Sequence, residues 1–202
     1  MKKLLLFAAM LTAVAAYGQG DYFADGCPNE QWLKYVNDET YVANLLIPGA
    51  HDAATGEDWP TFSTGSSTAT CQSLTVDQLW DAGVRVFDIR PGMYQKRSSQ
   101  QSGLTITTKS GNYYYYLSCN HGVERTNLFL EQFFNKLIAK LNQYPNEFAI
   151  IHLFLGSLKT SLIGSDEYAE QFKTLYAAQI NALGDRVIDF RRDLTVGDMK
   201  GK

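Results

Sequence analysis

The stretch FAIIHLFL at residues 148–155 limits the fold of this chain more than any other. An apolar run of strand length, interrupted only by His152, reads as a β-strand covered on both faces. It follows the clearest amphipathic helix in the sequence. Over residues 127–141, Phe129, Leu130, Phe133, Phe134, Leu137, Ile138 and Leu141 fall on one stripe, with Thr126 as the N-cap. Tyr144-Pro145-Asn146 ends that helix. A helix leading into a doubly covered strand is the repeating unit of a largely parallel α/β sheet.

The same alternation recurs along the chain. Residues 45–47 read as a strand that Pro48-Gly49 turns, residues 74–82 as a helix closed by Gly83, and residues 84–89 as a strand. In that strand Phe87 and Ile89 point one way, and Val86, Asp88 and Arg90 point the other. Further strands are expected at 113–120 and 186–190, with a helix at 167–183 between Tyr168 and Ile180. Residues 27–42, with Trp32, Leu33, Tyr35 and Val36, read as a helix closing one end of the core. Residues 53–70 read as a Gly/Ser/Thr-rich rim, 91–111 as irregular chain with a hairpin arm at 104–107, and 195–202 as a loop. The tyrosine run 113–116 reads as a hairpin packed on a rim in preference to a ligand platform. Reactive residues at successive strand ends favour a (β/α) barrel over a doubly wound sheet. Five strands fall short of the eight that close such a barrel, so it is expected to be incomplete at the C-terminus, with exposed strand edges.

A chain of 202 residues with 45% hydrophobic and 19% charged residues is one globular domain and not a disordered segment. Lys2 and Lys3 precede an apolar run at 4–16 with a small-residue exit, the order of a secretory signal peptide over residues 1–18. Residues 19–202 are then the domain, and the location is secreted or periplasmic. The run is too short to span a bilayer, so no transmembrane segment is expected. Losing the two lysines leaves the chain more acidic than its formal −3, which disfavours a general nucleic-acid binder. Anionic lipid remains open as a partner, because a few cations in a cleft outweigh the total charge. A monomer is expected. Cys27, Cys71 and Cys119 are an odd number for an exported chain. Either Cys27 pairs with Cys71, both being in loops, or all three are unpaired. Their spacing matches no zinc site.

The chemistry-bearing residues are His51-Asp52, Asp88, Arg90, His121 and His152. Histidine titrates near neutral pH, so of two histidines one can be neutral and the other protonated at the same pH. A guanidinium fork matches two phosphoryl oxygens and keeps its charge. Together these are what cleavage of a phosphodiester requires. A lone histidine after a strand is more often structural, and His152 carries that reading beside a substrate-binding one. His51 and His121 with Arg90 reverse it. Asp88 has the alternative of being the buried partner of Arg85 or Arg90, and Asp52 that of capping a turn.

Several motifs together resemble one family. They are Ile47-Pro48-Gly49-Ala50-His51-Asp52, then Cys71-Gln72 and Gln78-Leu79 leading into Gly83-Val84-Arg85-Val86-Phe87-Asp88-Ile89-Arg90, and His121-Gly122. From about Trp32 to Lys202 the chain resembles the catalytic X domain of bacterial phosphatidylinositol-specific phospholipase C. The resemblance implies a distorted TIM barrel and cleavage of phosphatidylinositol, or its glycosylated forms, to diacylglycerol and a cyclic inositol phosphate at a membrane surface. It implies His51 as general base on the inositol 2-hydroxyl and His121 as general acid assisted by Asp52. Arg90 would stabilise the phosphorane, and Asp88 would orient Arg90 or His51. It implies no cofactor and no metal: animal relatives carry an acidic calcium ligand at the place of Arg90, where a cation repels calcium. Phe154 departs from the Lys or acid found near its position in related enzymes. The inositol-binding residues, and the acid that supports the base histidine, belong to the half of the family's barrel beyond residue 202. The alternatives are a related phosphodiesterase with another leaving group and a non-catalytic lipid- or glycan-binding module.

Overall fold

Two small sheets, one parallel and one antiparallel, meet at Arg90. The computed structural model describes residues 27–61, 68–100, 103–154 and 166–202; the expected signal peptide lies outside them. In chain order the strands are β1 (Gly49–Ala50), β2 (Val86–Ile89), β3 (Pro91–Arg97), β4 (Thr108–Ser110), β5 (Tyr113–His121), β6 (Glu124–Phe129) and β7 (Ile150–Leu153). The helices are α1 (Val76–Asp81), α2 (Leu130–Gln143), α3 (Asp166–Ala182) and α4 (Val196–Met199). The parallel sheet has the order β1-β2-β7. In the other, β5 pairs along its length with β3 and, on its opposite edge, with β4 and then β6, all antiparallel.

β2 has the facing that its alternation predicts. Phe87 and Ile89 are fully buried, Phe87 meeting Phe133 of α2 edge-on at 6.1 Å, while Asp88 stays on the other side. Helix α1 covers the same face and starts with a capping box: Thr75 Oγ1 accepts from Gln78 N, and Gln78 Oε1 accepts from Thr75 N. Thr75→Ala is expected to lower the unfolding free energy by about 1 kcal/mol, read from the urea midpoint.

Several expectations are corrected. Among the described residues the strands do not close a barrel, and the sheet is not largely parallel. The antiparallel unit was hidden because β3, PGMYQKR, has a mostly polar C-terminal half that acquires its partners only from β5. The chain at 104–107 forms no hairpin arm; β4 follows it. The strand expected at 45–47 is displaced to β1, leaving Leu46 86% exposed. Residues 27–42 hold short 3-10 turns, Asn29–Tyr35 and Val42–Asn44, the first kinked at Gln31. They nevertheless bury Trp32, Leu33 and Val36 in a second core with Phe148, Val196 and Met199.

Helix α2 begins at Leu130, because residues before it belong to β6. Thr126 is therefore no N-cap: its hydroxyl donates to Cys119 O and accepts from Leu128 N. The supposed rim at 53–70 starts as a buried 3-10 turn, Ala53–Gly56. The supposed loop at 195–202 contains α4, capped by Thr195.

β7 is not covered on both faces. It ends the parallel sheet, its residues are half-buried or exposed, and a cleft of about 500 Å³ lies between it, α2 and α3. Residues 186–190 form no strand; Val187 and Phe190 line that cleft. The cysteines are all free. Cys27 Sγ lies 3.9 Å from Pro28 O, whereas Cys71 Sγ faces Asp52; of the two alternatives the unpaired one is found.

Candidate active site

The site forms where the C-terminal ends of β1 and β2 meet the end of β5. Residues 51–52 follow β1, Arg90 joins β2 to β3, and His121 is the last residue of β5. The backbone N–H of Asn120 donates to Arg90 O at 2.9 Å, fixing the antiparallel sheet to the parallel one at this point. A close approach makes this junction possible: a Cβ on Gly92 would sit 2.8 Å from Asn120 Oδ1.

Asp52 is the hub. Its side chain is fully buried, and its Oδ2 lies 3.3 Å from both His51 Nε2 and His121 Nε2. Its Oδ1 meets Arg90 Nε at 2.7 Å. That last contact is an ion pair, not an aligned hydrogen bond, since neither atom makes a hydrogen bond. To reach this position Asp52 adopts a left-handed backbone, φ 46° and ψ 51°, which costs energy for a non-glycine residue. Neighbours hold it there. Thr55 Oγ1 donates to Asp52 O at 2.8 Å, and Asp52 N–H donates to Asp88 Oδ2 at 3.3 Å.

Arg90 Nη2 lies 2.7 Å from His51 Nε2. Arginine can only donate, so in this contact the His51 Nε2 lone pair is the acceptor. Asp88 links the remaining members: its Oδ2 is 3.7 Å from Arg90 Nη2 and 3.8 Å from His51 Nε2, and its Oδ1 is 3.1 Å from His152 Nδ1. The Arg90 guanidinium also lies 5.4 Å from the centre of the Phe154 ring. Solvent reaches the cluster, His51 being 61% and His152 66% exposed at the side chain.

All six residues singled out in the sequence therefore gather in one place. Asp88 has both Arg90 and His152 as partners; Arg85 pairs elsewhere, with Glu147. Three contributors, Thr55, Cys71 and Gln72, were not expected. Thr55 Oγ1 accepts from the N–H groups of Cys71 and Gln72, and Gln72 Nε2 donates to His51 O at 2.6 Å. The Cys71-Gln72 segment thus clasps the loop carrying both catalytic candidates. Cys71 Sγ is 3.7 Å from Asp52 Oδ2. Burial, then the Asp52 charge, push its thiol above the ordinary range, so it is an S–H donor to the carboxylate. Phe154 completes the mouth. Of the three unexpected contributors only Cys71 and Gln72 had a signal, their appearance among the motifs; Phe154 was already marked as a departure from the related enzymes.

Ligand atoms of His51, Asp52 and Cys71 lie within 4.8 Å of one another, a grouping that fits a soft divalent ion. Here the Arg90 guanidinium already supplies the positive charge opposite Asp52.

No protein-family model matches the chain, and no curated protein matches it. Solved structures do. Phosphatidylinositol-specific phospholipase C from Listeria monocytogenes superposes with a TM-score of 0.61 at 22% identity, over 87% of this chain and 55% of that one. Two structures of the Staphylococcus aureus enzyme give TM-scores of 0.60 and 0.58 at 19% identity, over 87% of this chain and 51% of theirs. By fold, the chain is similar to the bacterial phosphatidylinositol-specific phospholipases C. It spans about half the length of the structures that it matches. No helix among the described residues is long and apolar enough to cross a membrane.

Proposed function

We propose that this chain acts as a phosphodiesterase of the distorted TIM-barrel type that cleaves phosphatidylinositol, or a glycosylated form of it, outside the cell. The observation that carries the reading is the convergence of His51, His121 and Arg90 on the one buried carboxylate of Asp52.

In the resting site Arg90 occupies the lone pair of His51 Nε2. A phosphodiester that draws the guanidinium onto its non-bridging oxygens, the better partner for a charged fork, releases that lone pair. His51 Nε2 then takes the proton of the inositol 2-hydroxyl, and the hydroxyl oxygen attacks phosphorus. The bond from phosphorus to the glycerol oxygen breaks. His121, with Nε2–H held against Asp52, gives the Nδ1 proton to the leaving oxygen. The products are diacylglycerol and a cyclic inositol phosphate. Arg90 stays on the phosphoryl oxygens as negative charge grows, a preorganised stabilisation that is often worth about 3–4 kcal/mol. Asp88 restrains Arg90 and His51, and His152 is placed to touch the headgroup. No cofactor and no calcium take part.

Phosphorus NMR of phosphatidylinositol vesicles treated with the chain is expected to show the cyclic phosphate, at the same rate with and without a calcium chelator. Loss of turnover on chelation would overturn the metal-free mechanism. Phe154 over Arg90 favours one second reading, a phosphodiesterase for another leaving group or headgroup. Hydrolysis of other phosphodiesters without cyclic inositol phosphate would establish it. Lipid or glycan binding without turnover of either would leave a binding module.

A further inference from the structure

The tyrosine run has no part in the site, yet it lies in β5, the central strand of the antiparallel sheet that ends there, with Tyr114 and Tyr116 on one face and Tyr115 against the main core. The sheet's inner face carries Met93, Leu117 and Cys119 into the main core. The register places Tyr94 opposite Tyr116, Lys96 and Lys109 on either side of Tyr114, and Arg125 opposite Asn120. Directly opposed residues share a face, so these side chains lie together on the side opposite Met93, Leu117 and Cys119; Tyr116 and Asn120 are buried there, while Lys109 is exposed and Tyr94, Lys96, Tyr114 and Arg125 are half-buried.

Each cation on that face lies over a ring. Lys96 Nζ is 5.5 Å from the centre of Tyr116 and 5.7 Å from that of Phe129. Lys109 Nζ is 5.7 Å from the centre of Tyr114, and the Arg125 guanidinium 5.6 Å from that of Tyr94. The acid on these strands is Glu124, which opposes His121 in the register and whose charge still reaches Tyr94. A chain of formal charge −3 thus presents a face of three cations bedded on aromatic rings. The hairpin joining β5 to β6 continues it. Gly122, with φ 59°, turns the chain directly after His121 and leaves Val123 63% exposed at the tip. Cations attract anionic headgroups, and aromatic rings with an exposed apolar tip suit the interfacial layer beneath them.

We propose that the outer face of β3, β4, β5 and β6 docks on an anionic lipid surface and holds the site mouth against it. The proposal deepens the phospholipid-cleaving reading and rests on it for its substrate. Its partner is a negatively charged bilayer, bound through charge.

Sedimentation with vesicles of phosphatidylcholine containing phosphatidylglycerol, against pure phosphatidylcholine, tests it. The chain is expected to bind the anionic vesicles and to be released by salt. Lys96→Gln with Lys109→Gln is expected to weaken that binding about 25-fold, roughly fivefold per charge, and Lys96→Arg with Lys109→Arg to keep it. Equal binding to both vesicle types, or an unchanged double Gln variant, would overturn the proposal. The two readings fail separately. Lost turnover on vesicles, with unchanged hydrolysis of soluble cyclic inositol phosphate, in the double Gln variant supports docking. A wild-type chain that binds anionic vesicles but turns over neither substrate fails only the catalytic reading.

Discussion

Turnover of phosphatidylinositol is expected to fall by about 10²–10⁴-fold in His51→Ala and again in His121→Ala, the span that a positioned acid or base contributes. The fold should not change. The His51 and His121 side chains are 61% and 30% exposed and belong to no core cluster, so circular dichroism and the thermal midpoint should match those of the unchanged chain. The double variant should lose little more than either single one, because groups that act on one proton path are not additive. Asp52→Asn supplies a further check, since one carboxylate contacts both histidines and Arg90. It should lower the rate and disturb both limbs of the pH profile, whereas a purely structural Asp52 would lower the yield of folded chain and leave the profile's shape intact. A bell-shaped profile is itself expected, as the reaction needs one histidine neutral and the other protonated. Full activity of His51→Ala would sink the mechanism.

How far the sequence could be read depended on whether local pattern or distant pairing decides each element. β2 was legible because one side packs on helices: the alternation of Phe87 and Ile89 against Asp88 records that directly. β7 was misjudged, since an apolar run says that a strand is sheltered but not by what. Among the described residues no further strand pairs with it, and it borders the cleft beside α3. β3 and β6 were not legible, as their polar residues become strand only by pairing with β5, a contact decided by register. In the site, His51, Asp52, Arg90 and His121 stood out by residue type at strand ends. Thr55, Cys71 and Gln72 did not, because their roles follow from the left-handed turn at Asp52, which no periodicity reveals.

The opposite end of the parallel sheet carries the largest expected effect on stability. Arg85 and Glu147 are completely buried and joined by two contacts, Nη2 to Oε2 at 2.8 Å and Nε to Oε2 at 2.9 Å. Arg85 also donates to the carbonyls of Trp80, Val84 and Glu30 and stacks 3.9 Å from the Trp80 ring. Burial pushes the Arg85 guanidinium down and the Glu147 carboxyl up, in both cases against the partner's attraction. Desolvation therefore outweighs the pairing for each, as is common for buried ion pairs. Removing one partner strands the other charge. Glu147→Gln is expected to cost about 3–5 kcal/mol in urea unfolding, while Arg85→Met with Glu147→Leu together should cost less than that single change. A double variant as unstable as the sum of the singles would refute the argument. The pair matters to the distant site through the backbone: Arg85 N–H donates to Pro48 O, and Arg85 O accepts from Ile150 N. Arg85 thus ties β1 and β7 to β2 at the end opposite His51, Arg90 and His152. Glu147→Gln should then loosen all three strands together, and a residual activity that falls with the folded fraction, at unchanged KM, would show that the pair serves the site only by holding its strands in register.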